Sequence, residues 1–144
     1  MPLTAAIDVL AGQTDAKAMQ IRLRVSNPGH GSVSILNPDM GVPSPSMNFP
    51  YSNEVYQLAM LISFSFVEIS VTDEAGDEVP QDAIATWATP ALRPRLELDR
   101  GDSFDLAIPI GVFYQLTAKT KYSVSVTYGD KELKVSAEGR INVP

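Results

Sequence analysis

The chain has 144 residues, a formal net charge of −6, one histidine and no cysteine. That length suits one domain, able to bury about two thirds of its unfolded surface without disulfide or metal staples. The acidic balance argues against nucleic acid and anionic membrane surfaces, which are bound by Lys and Arg neutralising phosphate, and the lack of cysteine removes disulfides, thiolate nucleophiles and sulfur-ligated metals.

The start, Met1-Pro2-Leu3-Thr4, carries neither a basic segment nor an apolar stretch of signal-peptide type. No apolar run approaches the length that spans a bilayer, so a soluble chain without membrane insertion is expected. The compartment stays open: exported or periplasmic if a signal peptide has been removed, cytoplasmic otherwise.

Alternation with a period of two dominates the pattern, so the elements read as strands. From Met19 to Ser26, Met19, Ile21, Leu23 and Val25 alternate with Gln20, Arg22, Arg24 and Ser26, predicting one buried and one wet face. Asn27-Pro28-Gly29 supplies turn chemistry, and a strand around Val33 and Ile35 follows. Asn37 to Gln57 has no strand pattern and carries prolines at 38, 43, 45 and 50, so it reads as one long loop. Leu58 to Thr72 alternates again but changes phase at Phe66 and Val67, which predicts a bulge there or the junction of two strands. Asp73 to Gly76 closes a hairpin into a strand at Asp77 to Pro80, with Trp87 on its weakly patterned continuation.

Phe104, Leu106, Ile108 and Ile110 alternate cleanly, while Pro109 removes a ladder donor and marks a strand end or an edge. Val112 to Ala118 is expected to make one helical turn at most. Tyr122, Val124, Val126 and Tyr128 run up to Gly129-Asp130, which reads as a two-residue hairpin loop. That loop would set Val126 opposite Leu133, Val124 opposite Val135 and Tyr122 opposite Ala137. No helix of ten or more residues is expected. The whole chain, 1–144, is therefore predicted to be a single all-β domain, a two-sheet antiparallel sandwich of roughly seven to nine strands with one long Pro-rich loop at 37–57.

The succession L-R-V-S-N-P-G-H-G-S-V-S-I-L, V-E-I-S-V-T-D-E-A-G-D-E-V-P, L-E-L-D-R-G-D-S-F-D-L and F-Y-Q-L-T-A-K-T-K-Y-S-V-S-V-T-Y resembles the bacterial immunoglobulin-like sandwich found beside deuterolysin-type and lysine-specific metallopeptidase domains. It is more loosely similar to intracellular proteinase-inhibitor domains. The resemblance runs from about Ile21 to Val143 and implies a non-catalytic immunoglobulin-like fold; it transfers no functional residue, and no peptidase segment such as H-E-x-x-H is present.

Candidate chemistry is sparse. His30, the sole histidine, lies between Gly29 and Gly31 with no neighbouring carboxylate to orient it, which suits an exposed turn better than a general base. Asp73, Glu74, Asp77 and Glu78, and then Asp99, Asp102 and Asp105, cluster at turns without the spacing of a calcium loop. Arg100-Gly101-Asp102 spells an integrin-type tripeptide, but a turn between two strands accounts for it. No catalytic residue, metal site or cofactor is expected, and the chain reads as a non-enzyme.

The binding candidates are Met47, Phe49, Tyr51 and Tyr56 in the long segment, together with Trp87. Prolines lower the entropy lost on ordering an extended segment, and Met with aromatics gives adaptable contact area. The competing expectation is that these side chains fold back to close one end of the sandwich. The expected function is a binding or accessory module that contacts another protein or a second copy of itself. The alternatives are a proteinase-inhibitor-like domain and a carbohydrate-binding sandwich using Trp87 or Tyr51, with the sugar stacking on a ring.

Overall fold

A computed structural model describes residues 3–9, 15–29, 31–39, 51–84 and 94–144. In chain order these form β1 (Thr4–Val9), a 3₁₀ turn (Ala16–Ala18), β2 (Ile21–Ser26), β3 (Val33–Leu36), α1 (Asn53–Ser63), β4 (Val67–Thr72), β5 (Arg95–Leu98), β6 (Ser103–Ile108), the one-turn helix α2 (Ile110–Phe113), β7 (Lys121–Gly129) and β8 (Lys134–Asn142). The eight strands among the described residues make the expected all-β sandwich, and every pairing is antiparallel. One sheet has the order β1-β2-β6 and the other β4-β7-β8, while β3 and β5 pair as a third, two-stranded sheet.

The two larger sheets bury the faces that their alternation marks. Ile21, Leu23 and Val25 of β2 are fully buried, as are Leu106 and Ile108 of β6, while Arg24 reaches solvent and pairs across the strands with Asp105 at 2.8 Å. That contact, together with the charge of Arg22, holds the Asp105 carboxyl below its ordinary range. Opposite them lie Val71 of β4 and Val124, Val126 and Tyr128 of β7. The Phe104 and Tyr128 rings meet edge to face at 5.6 Å and join the two sheets through the core. At the sandwich edge, a Cβ on Gly139 of β8 would come within 3.3 Å of the Ile7 side chain, so the absence of one lets β1 lie close.

The third sheet continues the β2–β6 ribbon past a buried polar node. Asn27 follows β2, and its main chain exchanges hydrogen bonds with Asp102 and Gly101, both at 2.9 Å. Its side-chain amide donates to the carbonyls of Gly31 and Leu98, each at 2.8 Å, and its carbonyl accepts from Gly29 N at 3.0 Å. Arg100-Gly101-Asp102 is thus occupied in the matching turn, where Gly101 takes φ of 86° and Asp102 accepts from Asp99 N. With its amide satisfied, Asn27 redirects the ribbon without leaving a buried polar group unpaired.

The segment after residue 52 departs from expectation. Asn53–Ser63 is an eleven-residue helix, so the anticipated loop at 37–57 ends at least five residues earlier and the strand expected from Leu58 does not form. Ser52 caps the helix by accepting from Val55 N, and Glu54 lies in the first turn, where the helix dipole favours an acid. Val55, Tyr56, Leu58, Ala59, Met60 and Leu61 are buried, and the helix packs against β4 and β6. The apolar run satisfied both periods; burial on several sides, not amphipathic spacing, decided for helix. Its end is a Schellman motif: Phe66 N donates to Leu61 O at 2.8 Å and Ser65 N to Ile62 O at 3.0 Å, with Ser65 at φ 62°. The phase change at Phe66 and Val67 is therefore where helix gives way to strand.

The β7–β8 hairpin has the expected faces but another register. Val126 faces Ala137, Val124 faces Gly139 and Tyr122 faces Ile141, each partner four positions beyond the one that a two-residue loop sets. The loop comprises Asp130 to Leu133 because Gly129 pairs with Lys134. Asp130 holds it: its Oδ1 accepts from Glu132 N at 3.0 Å and from Leu133 N at 3.3 Å. A displacement by an even number of residues leaves the apolar face inward. Elsewhere, Asp73 caps the expected turn by accepting from Ala75 N and Asp77 N, but beyond it only a single bridge, Thr72 to Glu78, replaces the anticipated strand.

Candidate functional site

The 3₁₀ turn, α2 and the start of α1 meet around an open groove of about 690 Å³. Its lining includes Ala16, Lys17, Tyr51, Asp82, Val112 and Leu116. Each wall is anchored by backbone. A Cβ on Gly111 of α2 would come within 2.1 Å of Ala16 O, so only glycine lets the 3₁₀ turn rest on α2, and Gly111 N donates to Met19 O at 3.0 Å. Asp82 N donates to Phe113 O at 2.7 Å, and Gln81 bridges Tyr114. Tyr51 immediately precedes the α1 cap, Ser52.

Beneath the groove, Tyr114 is spent on the framework. Its hydroxyl donates to Ile69 O at 3.0 Å and receives Gln81 Nε2 at 3.2 Å. Burial pushes that hydroxyl up to about 12, despite the opposing effect of the Gln81 contact. It has the character of a structural donor and not of an acid or base at neutral pH. At the rim the situation differs: among the described residues no ion pair engages Lys17 or Asp82, whereas Arg22, Arg24 and Arg95 are all paired with carboxylates.

Of the binding candidates, Tyr51 is 45% exposed and lines this groove. Tyr56, only 8% exposed, lies in α1 and is a core residue, so it cannot offer a ring face to a ligand. Met47, Phe49 and Trp87 lie outside the described residues, as does His30. The structure thus brings Tyr51 together with Lys17, Asp82, Gln115 and Leu116, which no local pattern singled out. Their only shared sequence signal is polar residues beside short apolar pieces at 16–18 and 110–116, and that signal does not reveal that the two pieces touch. Among the described residues there is no group of three or more His, Cys, Asp or Glu that could hold a metal ion, and no helix is long and apolar enough to cross a membrane.

A second polar cluster joins the third sheet to the β7–β8 loop. Arg95 contacts Asp130 at 2.5 Å, Glu132 at 3.5 Å, and the hydroxyl and carbonyl of Ser34 at 3.1 and 2.8 Å. Close by, the Tyr128 hydroxyl donates to Leu36 O; burial, then the charge of Asp130, raises its pKa. With these partners in place, the cluster is a tie between sheets.

No protein-family model matches the chain, and no curated protein does. A solved structure titled as Bacteroides uniformis beta-glucuronidase 2 covalently bound to cyclophellitol-6-carboxylate aziridine superposes with a TM-score of 0.39 at 9% identity, covering 97% of this chain. The chain spans 13% of that one's length, and a similarity this slight says nothing about activity.

Proposed function

We propose that this chain is a non-enzymatic, immunoglobulin-like binding or accessory module that contacts another protein at the end of the sandwich where Tyr51 lies. Two features support the immunoglobulin-like reading. The sets β1-β2-β6 and β4-β7-β8 match the distribution of strands A, B and E against C, F and G in such sandwiches. The Tyr122 hydroxyl, at the start of β7, accepts from Thr117 N at 2.8 Å, the arrangement of a tyrosine corner.

The observation that carries the functional reading is the exposed Tyr51 ring beside a groove whose walls are anchored by backbone. A preorganised concavity with a few polar groups over an apolar lining is what binding sites share. The test replaces residues 40–50 with a short Gly-Ser linker, sparing the α1 cap, and compares partner capture with Tyr51→Ala and wild type. Loss of the captured partner with an unchanged melting transition supports the reading. Retention of the partner by both variants overturns it.

A further inference from the structure

We infer that β1 is an exchangeable arm, and that in a dimer of this chain each copy lays its β1 on β2 of the other; the inference rests on the binding-module reading and names the partner as a second copy. Of the eight strands among the described residues, β1 alone has no buried residue: Ala5 and Ile7 are half-buried and the other four face solvent. Its ion pair, Asp8 with Arg22 at 3.3 Å, joins side chains that reach solvent and adds little. A strand held so lightly belongs to the low end of the range of local opening free energies. The slot that it leaves is nevertheless specific. That slot offers β2 in a register running from Thr4–Ser26 to Val9–Ile21, a seat for Ile7 on the side-chain-free Gly139 of β8, and a buried place for Leu3. Without β1, β2 is an open strand edge. A second copy carries the sequence already fitted to all of these features, so exchange re-forms the monomer's own contacts between chains.

The chain that returns from β1 decides which end the two copies share. The 3₁₀ turn is fixed to α2 at Gly111, so an arm that leaves its own copy stays tethered there. From Val9 to Asp15 the chain reaches at most about 20 Å when extended, so exchange draws the two 3₁₀ ends together. That end is where apolar surface stands uncovered. Among the described residues the exposed large hydrophobics are Val9, the last residue of β1, and Tyr51, which lines the groove with Ala16 and Lys17. Closing two such ends on each other takes Val9 and Tyr51 out of water, a gain that the monomer lacks and that offsets the entropy of association.

The chain has no cysteine, so a single engineered cross-link reads the exchange. Thr4 and Ser26 are partners across β1 and β2, at a Cα separation that a disulfide spans. Full-length Thr4→Cys and Ser26→Cys chains are mixed at high concentration, warmed to just below the melting transition, cooled and oxidised. A covalent heterodimer is expected in clear excess over a control mixture of Thr4→Cys with Glu68→Cys, since Glu68 is exposed on the other sheet. Sedimentation of the wild type is expected to show a monomer–dimer equilibrium. Val9→Ser is expected to weaken that equilibrium about tenfold and to leave the monomer's melting transition unchanged. A heterodimer yield no higher than the control, or a wild type that stays monomeric at every concentration, overturns the proposal. A monomer that still captures a partner through Tyr51 overturns the exchange and keeps the module. Failure of both the exchange and partner capture removes the module reading itself.

Discussion

Three single residues hold the fold in ways that composition does not announce. Ser65 occupies the left-handed position that ends α1, where glycine is usual and a side chain costs on the order of 1 kcal/mol. Ser65→Gly is expected to raise stability by up to ~1 kcal/mol, read as a later denaturant midpoint at unchanged slope; an earlier midpoint would show that the Ser65 side chain holds the turn. Arg95 is the chief partner of Asp130, which is 5% exposed. Arg95→Ala removes its ion pair and leaves that carboxylate with only the amides of Glu132 and Leu133, so chemical denaturation should show a loss of about 1.5–3 kcal/mol. Gly139 has Ile7 against it, and Gly139→Val is expected to push β1 off β8 at a cost of about 1–3 kcal/mol. Amide exchange should then be fastest in Thr4–Val9.

At the scale of elements, helix α1 and the β7–β8 hairpin separate what pattern can and cannot decide. Leu58 to Phe66 satisfies a strand period locally, and no glycine or proline marks the helix end, because Ser65 does the work of a C-terminal glycine. Only contact with β4 and β6 makes burial on several sides of the segment possible and selects helix. The cap contributes as well: Ser52→Ala should cost ~1 kcal/mol and lower helical ellipticity. In the hairpin the alternation named the right face and Gly129 the right place to turn, since its φ of 134° and close approach to Leu133 O exclude a side chain. It could not reveal that Asp130 folds back on Glu132 and Leu133, which lengthens the loop and moves the register. Val124 is buried either way, so Val124→Asp is expected to cost several kcal/mol and to leave the variant largely unfolded.

For the whole molecule, the hydroxyls of Tyr114 and Tyr128 tie strands and helices together in their neutral forms. Tyr114 ionises near 10.0 when unfolded and at about 12 when folded, so the folded state binds the extra proton between those values. Its contribution is fully present below pH 10.0 and is lost as pH rises towards 12. Tyr128 shifts in the same direction, so stability should fall steeply above pH 10, and Tyr114→Phe should flatten that fall. A melting temperature that stays level to pH 12 would contradict it. By itself the sequence determined the strand class, the buried faces of β2, β6, β7 and β8, the turns at Asp73 and Asn27 and the end of β6 at Pro109, because two-residue alternation and turn chemistry are local properties. Tertiary structure alone decided that Asn53–Ser63 is helical, that Tyr56 is core while Tyr51 is not, and that Lys17, Asp82 and Leu116 share one groove. Those outcomes depend on which distant segments come into contact, and a pattern of neighbours along the chain does not encode that proximity.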